Sequence, residues 1–201
     1  MTMRTKARRL DPLPPERSPD LKEEFDSFFK TLGFVPNSVL TMQRKPALVR
    51  AFVMMQRAIW DPQSKVDRGF KRVVAHVASR TAQDAYSMAH TAGGALHFGI
   101  DEDKLAASWS YRSSPLYTDA EKAALDLAVA ASQNAVTDAI FAALRRHWSE
   151  EEIVEIVAAI AMAGFLARWN QTMATPLEQE PMDVGVRHLA RHGWSPGVHE
   201  P

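Results

Sequence analysis

The sequence predicts an all-α protein. Apolar residues recur at three- and four-residue spacing along most of its 201 positions. Two segments open with the paired hydroxyl and carboxylate that start helices. No stretch alternates apolar and polar residues as a half-buried strand would.

Leu21, Phe25, Phe28, Phe29 and Leu32 share one helical face, and Gly33 supplies a C-cap. Gly33 to Asn37 reads as a turn into a short helix through Leu40 and Met42. Pro46 suits the first position of the next helix, where a missing N–H costs nothing, and Leu48, Val49, Phe52, Val53, Met55 and Ile59 follow it to Asp61-Pro62. Another helix is predicted from near Val66 through Phe70, Val73, Val74 and Val77 to about Ala82, and a further one from near Asp84 to Gly99. Thr118 with Glu121, and Ser149 with Glu152, form capping boxes, each satisfying two orphan donors. Leu125, Leu127 and Val129 follow the first box. The second introduces 153–168, apolar almost all round, the pattern of a helix covered by the core or by another subunit. After Pro176, the residues Pro181, Gly185, Gly193, Pro196 and Gly197 predict an irregular tail, with a short helix around Val184 to His192. The chain thus divides into an N-terminal arm (1–17), a helical domain (18–178) and a tail (179–201).

Composition narrows the function. Lys plus Arg and Asp plus Glu number 24 each, so there is no net charge and no support for a nucleic-acid surface. The basic start (Arg4, Lys6, Arg8, Arg9) and the prolines after it (Pro12, Pro14, Pro15, Pro19) read as an arm or a strap on a partner. They lack the apolar core of a secretory signal. No window approaches the ~18 apolar residues of a membrane span. The absence of cysteine excludes disulfides, thiolate nucleophiles and cysteine-held metals, and fits a cytoplasmic protein.

Several ordered pieces carry a resemblance. They are Gly33-Phe34-Val35-Pro36-Asn37-Ser38, Arg44-Lys45-Pro46-Ala47-Leu48, and Ser113-Ser114-Pro115-Leu116-Tyr117-Thr118 ahead of Ala120-Glu121-Lys122-Ala123-Ala124. Ala135-Val136-Thr137-Asp138, Ser149 to Glu155 and Phe165-Leu166-Ala167-Arg168-Trp169-Asn170 complete them. Over about 18–178 this order resembles the alkylhydroperoxidase/carboxymuconolactone decarboxylase superfamily, in its longer peroxidase-related branch. The resemblance implies an oligomer-forming helical bundle, a homo-oligomer of two to six chains. It also implies a redox centre of Cys-x-x-Cys at a helix N-terminus, a His one turn on and a Glu about three turns back. Aligned on Tyr86 and Gly99, those positions hold Asp84, Ser87, Thr91 and Arg72. A register one residue away makes His90 the family His and leaves Gln83 and Tyr86 at the pair. Neither register contains sulfur, so thiol peroxidase and disulfide reductase chemistry are excluded. The decarboxylase branch, which also lacks the pair, implies a small lactone or carboxylate bound over the same helix.

The residues themselves leave alternatives. Asp84, Ser87 and Thr91 share a helical face. Asp84 is either a helix cap or a general base, with Arg72 as its ion partner or as a clamp for an anion. Arg72, His76 and Arg80 form a stripe at four-residue spacing, either a solvated face or one wall of a cavity. His90 and His97 lie ~10.5 Å apart along one helix, too far to share a metal. Gly93-Gly94 inside a helix points to the close approach of another helix, a second copy or a ligand. Trp60, Trp109, Trp148, Trp169 and Phe98 read as core or pocket lining, and His188, His192 and His199 as tail. The expected function is a cofactor-independent acid–base enzyme or binder for a small organic acid, lactone or aromatic catabolite. Asp84, His90, Arg72 and His76 are its catalytic candidates, and Tyr86, Ser87 and Thr91 its substrate contacts. The alternative is a non-catalytic ligand-binding or assembly protein. No metal, nucleic acid or membrane enters either reading.

Overall fold

The computed structural model describes residues 9–201. Among them lie α1 (Lys22–Leu32), α2 (Asn37–Met42), α3 (Pro46–Ile59), α4 (Arg68–Thr81), α5 (Ala85–His97) and α6 (Glu102–Ala107). They are followed by α7 (Asp119–Ser132), α8 (Asp138–Arg145), α9 (Glu150–Met173) and α10 (Gln179–Val184), with short 3-10 and π turns between and no strand among the described residues. The all-α expectation holds.

Local chemistry sets the boundaries. Gly33 ends α1 at a φ of 81°, a left-handed conformation glycine adopts without steric cost. Both capping boxes form as read, at Thr118 and Ser149. Helix α4 starts two residues later than expected, because the Asp67 carboxylate caps it by accepting from the Phe70 N–H. The fully buried Lys71 ties the α3–α4 link to α9. Its Nζ donates to Ile59 O (2.7 Å) and Ser64 Oγ (2.6 Å) and lies 3.6 Å from Glu155 Oε2.

Helix α4 packs against α5, α7 and α9. Val73, Val74 and Val77 of α4 meet Leu125 and Ile156 in one core; Phe25, Val39, Phe52 and Val53 meet Ala159 and Met162 in a second. The long helix α9 serves both. Its apolar surround is not fully covered within one chain, since Val154 and Val157 remain 67% and 41% exposed. Among the described residues no helix is long and apolar enough to cross a membrane.

The chain after Pro176 is wound rather than irregular. It forms α10, a π turn at Gly185–Leu189 and 3-10 turns at Ala190–His192 and Gly197–His199. Trp194 Nε1 donates to Ala85 O at the start of α5, and the Trp194 ring packs so closely on Gly185 that a Cβ there would collide with it. Leu177 N donates to His199 O, so the segment folds back on itself. Of the N-terminal arm, Arg4, Lys6 and Arg8 lie outside the described residues. Arg9 donates to Gln171 O and Thr172 O, and Leu13 N to Leu40 O, so the described part straps its own chain.

Candidate active site

Between α1, α3, α4, α5 and α10 lies a cavity of about 620 Å³. Phe28, Phe34, Phe52, Trp60, Phe98 and Leu166 give it a mainly apolar lining. The polar groups that reach it come largely from α4 and α5: Arg68, Arg72, Tyr86, Ser87, His90 and Thr91.

Arg72 lies over the Trp60 ring, its Cζ 3.7 Å from the centroid, and Arg68, one turn earlier, lies 4.2 Å over Phe98. The Nε of each is buried without a hydrogen-bond partner. Burial, then the charge of Arg68, pushes the Arg72 guanidinium down to about 10, so it remains a cation at neutral pH. The expected pairing of Arg72 with Asp84 does not form. Helices α4 and α5 run antiparallel, which sets Arg72 level with Gly94, its Cδ 3.2 Å from a Cβ built there. Asp84 sits at the turn between the helices, about 15 Å further along α5. Gly93 faces Val184 of α10, so the glycine pair admits one arginine stem and one helix.

His90 reaches the cavity from α5. Its Nε2 is 2.8 Å from Glu178 Oε2, and its ring stacks on Tyr86 at 4.4 Å. The other carboxylate oxygen of Glu178 accepts from the Tyr86 hydroxyl (2.7 Å) and from the Asn37 N–H. Burial raises the Glu178 pKa, but the His90 ring and the bonds from His90, Asn37 and Tyr86 outweigh it and hold the carboxyl below its ordinary value. A carboxylate on Nε2 fixes the proton there and leaves Nδ1 as the acceptor of the neutral ring.

The other candidates are placed differently. Thr91 and Ser87 line the cavity; Asn170 Nδ2 donates to Ser87 Oγ at 3.3 Å. His76 lies behind Thr91, fully buried, with Nδ1 3.1 Å from Met88 O and 3.3 Å from Thr91 Oγ1. Burial, then the Arg80 charge, pushes its pKa down to about 3, so it is neutral. The stripe it belongs to is not a solvated face, and His76 does not line the cavity. Asp84 is 0% exposed, at the N-cap position of α5, yet its side chain makes no capping bond. Its Oδ1 lies 3.6 Å from His199 Nε2, and burial pushes its pKa up to about 6 against the opposing influence of Ser87 and Asn170. Asp84 too lies behind the cavity wall. Among the described residues no three His, Asp or Glu side chains gather as a metal site would require.

Comparison with known proteins places this architecture. The carboxymuconolactone decarboxylase family model matches residues 46–130. A cysteine-to-alanine variant of the debrominase Bmp8, solved in complex with 2,3,4-tribromopyrrole, is 33% identical over 92% of this chain and 97% of that one, with a TM-score of 0.81. The chain belongs to the alkylhydroperoxidase/carboxymuconolactone decarboxylase superfamily. Escherichia coli YnjA is 37% identical over 78 residues, a stretch covering 38% of this chain and 43% of that protein. An alkylhydroperoxidase-core, peroxidase-related protein from Ralstonia eutropha JMP134 shares the fold, at 22% identity and a TM-score of 0.74 over 87% of this chain and 96% of that one. Arg68 and Glu178 are not among the sequence candidates. Arg68 continues the Arg72–His76–Arg80 spacing by one turn and was legible there. Glu178 lies 88 positions from His90, in a segment read as the edge of a tail, and nothing local marks it.

Proposed function

We propose that this chain is a cofactor-independent acid–base enzyme acting on a small aromatic or unsaturated organic acid or lactone. The observation that carries the reading is a single cavity with an unpaired guanidinium at one end and a carboxylate-braced histidine in its wall. The acid group of the substrate sits on Arg72 and Arg68, where a charge-assisted bond replaces the partner the arginines lack. Its planar body lies against Trp60, Phe98 and Phe34. His90 accepts a proton through Nδ1 and returns it, while Glu178 stabilises the imidazolium that forms between. Tyr86 holds Glu178, and Ser87 and Thr91 offer hydroxyls to the bound molecule. Asp84 and His76 act only through Ser87 and Thr91, the side chains between them and the cavity. The halogenated pyrrole bound by Bmp8 supports a small aromatic ligand. With no cysteine in this chain, a route through sulfur is closed to it.

The proposal includes a cytoplasmic homo-oligomer, with the exposed Val154–Val157 face of α9 as the contact. A panel of aromatic acids and lactones, screened for binding by calorimetry and for proton exchange or product by NMR in D2O, tests the function. The expected result is turnover that His90→Gln abolishes while binding persists. Binding without turnover on any member would favour the ligand-binding alternative, and a panel bound equally well by Arg72→Gln would overturn the site.

A further inference from the structure

On the other side of the α4–α5 pair is a second, shallower cavity of about 250 Å³. Arg80 enters it from the end of α4, and His192 from the turn at Ala190–His192. Both lie against Trp109. The His192 ring is stacked on the indole at 4.1 Å and 13°, and the Arg80 guanidinium is 5.0 Å from its centroid. Arg80 Nη1 and His192 Nε2 are both buried and have no hydrogen-bond partner. No carboxylate lines this cavity. The phenols Tyr111 and Tyr117 act on Arg80, and burial pushes the pKa of each up, so they remain neutral. Two polar nitrogens on residues lining one cavity thus have neither an acid nor a hydrogen bond to satisfy them, an arrangement costly unless a ligand completes it.

We infer that this cavity is a second ligand site, which takes the carboxylate of a small organic acid between Arg80 and His192. The carboxylate accepts from Arg80 Nη1 and from His192 Nε2. Met88, Ala85 and Trp194 supply apolar wall beyond the two donors, which suits an organic body better than an inorganic ion. The site is separate from the first cavity, with buried His76 between them: its ring packs 5.3 Å from Trp109 on one side, and its Nδ1 meets Thr91 on the other.

Calorimetric titration of the full chain with benzoate tests the inference, using wild type, Arg80→Gln, His192→Gln and Arg72→Gln. Two classes of site are expected in the wild type. Arg80→Gln and His192→Gln should each weaken one class at least tenfold and leave the other unchanged, and the class they affect should survive in Arg72→Gln. His192 is half-buried at the surface, so its variant keeps the test valid if Arg80→Gln compromises folding. The His192 ring resonances should move on adding benzoate to wild type and stay still in Arg80→Gln. An isotherm unchanged by both Arg80→Gln and His192→Gln overturns the second site. If Arg72→Gln alone removes all binding, the second site falls and the proposed function stands. If Arg72→Gln changes nothing while Arg80→Gln removes a class, the outcome is the reverse. Inorganic phosphate binding as tightly as benzoate would overturn the organic-acid assignment.

Discussion

His90 Nε2 and Glu178 Oε2 are 2.8 Å apart, although 88 positions separate the two residues. The bond orients the imidazole, as the proposed base requires, and it ties the start of α10 to α5. Replacing Glu178 by Gln keeps the shape and one acceptor but removes the charge that stabilises a protonated ring. We expect kcat to fall by about 10²-fold with KM little changed, since the group acts on proton transfer rather than on binding. A KM effect larger than the kcat effect, measured on any substrate the panel yields, would place Glu178 in binding instead.

That pair also shows where sequence reading stops. The helices of the frame were legible because each depends on local chemistry: Gly33 at a left-handed φ, Pro46 at a first turn, the boxes at Thr118 and Ser149. Arg72, Ser87, His90 and Thr91 can be named because the superfamily resemblance sets a register along α4 and α5, anchored on Tyr86 and Gly99. The failures are long-range. The Arg72–Asp84 pair assumed that the two residues stand side by side, whereas the antiparallel turn at 82–84 sets them many residues apart along the helices. By residue type Asp84 reads as a cap or a general base, but its buried side chain makes no capping bond and lies beside His199, 115 positions along the chain. The tail looked irregular because its glycines and prolines are frequent. Its order comes from the fit of Gly185 under Trp194 and from the bond of Trp194 to Ala85, which no local pattern reveals.

Arg72 is expected to discriminate by ligand charge. Its guanidinium is buried against Trp60 and lacks an anion, so a carboxylate placed there gains a charge-assisted bond of about 1.5–3 kcal/mol. Arg72→Gln should therefore weaken a carboxylate ligand by about 10- to 100-fold and leave its methyl ester unaffected. Calorimetry on the matched acid and ester measures this directly. Equal losses for both would mean that Arg72 shapes the cavity without reading charge.

Asp84 and His76 should pull the pH dependence of stability in opposite directions. Burial raises Asp84 from its ordinary 3.8 to about 6, so the folded chain holds this proton more tightly than the unfolded one. Its contribution is fully present below about pH 4 and is lost as pH rises through 6, a change of about 3 kcal/mol. Burial lowers His76, so its contribution is present above the ordinary histidine range and is lost as pH falls. The two overlap between pH 4 and 6 and partly cancel in the wild type. Comparison with Asp84→Asn separates them: the variant should match wild type at pH 4 and exceed its stability at pH 8. Denaturant unfolding at the two values checks the sign, and a variant less stable at pH 8 would mean that the ionised carboxylate is held favourably by His199.

Gly94 separates stability from function. A glycine inside α5 costs about 1 kcal/mol relative to alanine, so Gly94→Ala should raise helix stability. Its new Cβ would stand 3.2 Å from Arg72 Cδ and 3.4 Å from Arg72 Nε, tighter than ordinary contact. The arginine stem is flexible enough to yield, but its guanidinium is seated 3.7 Å over Trp60 and must leave that position when the stem shifts. The predicted variant is as stable as wild type or slightly more so, and binds anionic ligands several-fold more weakly. Thermal unfolding and calorimetry on the same preparation read the two effects. Loss of affinity with a raised Tm would identify Gly94 as the residue that lets Arg72 point into the cavity, whereas unchanged affinity would show that the guanidinium keeps its place whatever its stem does.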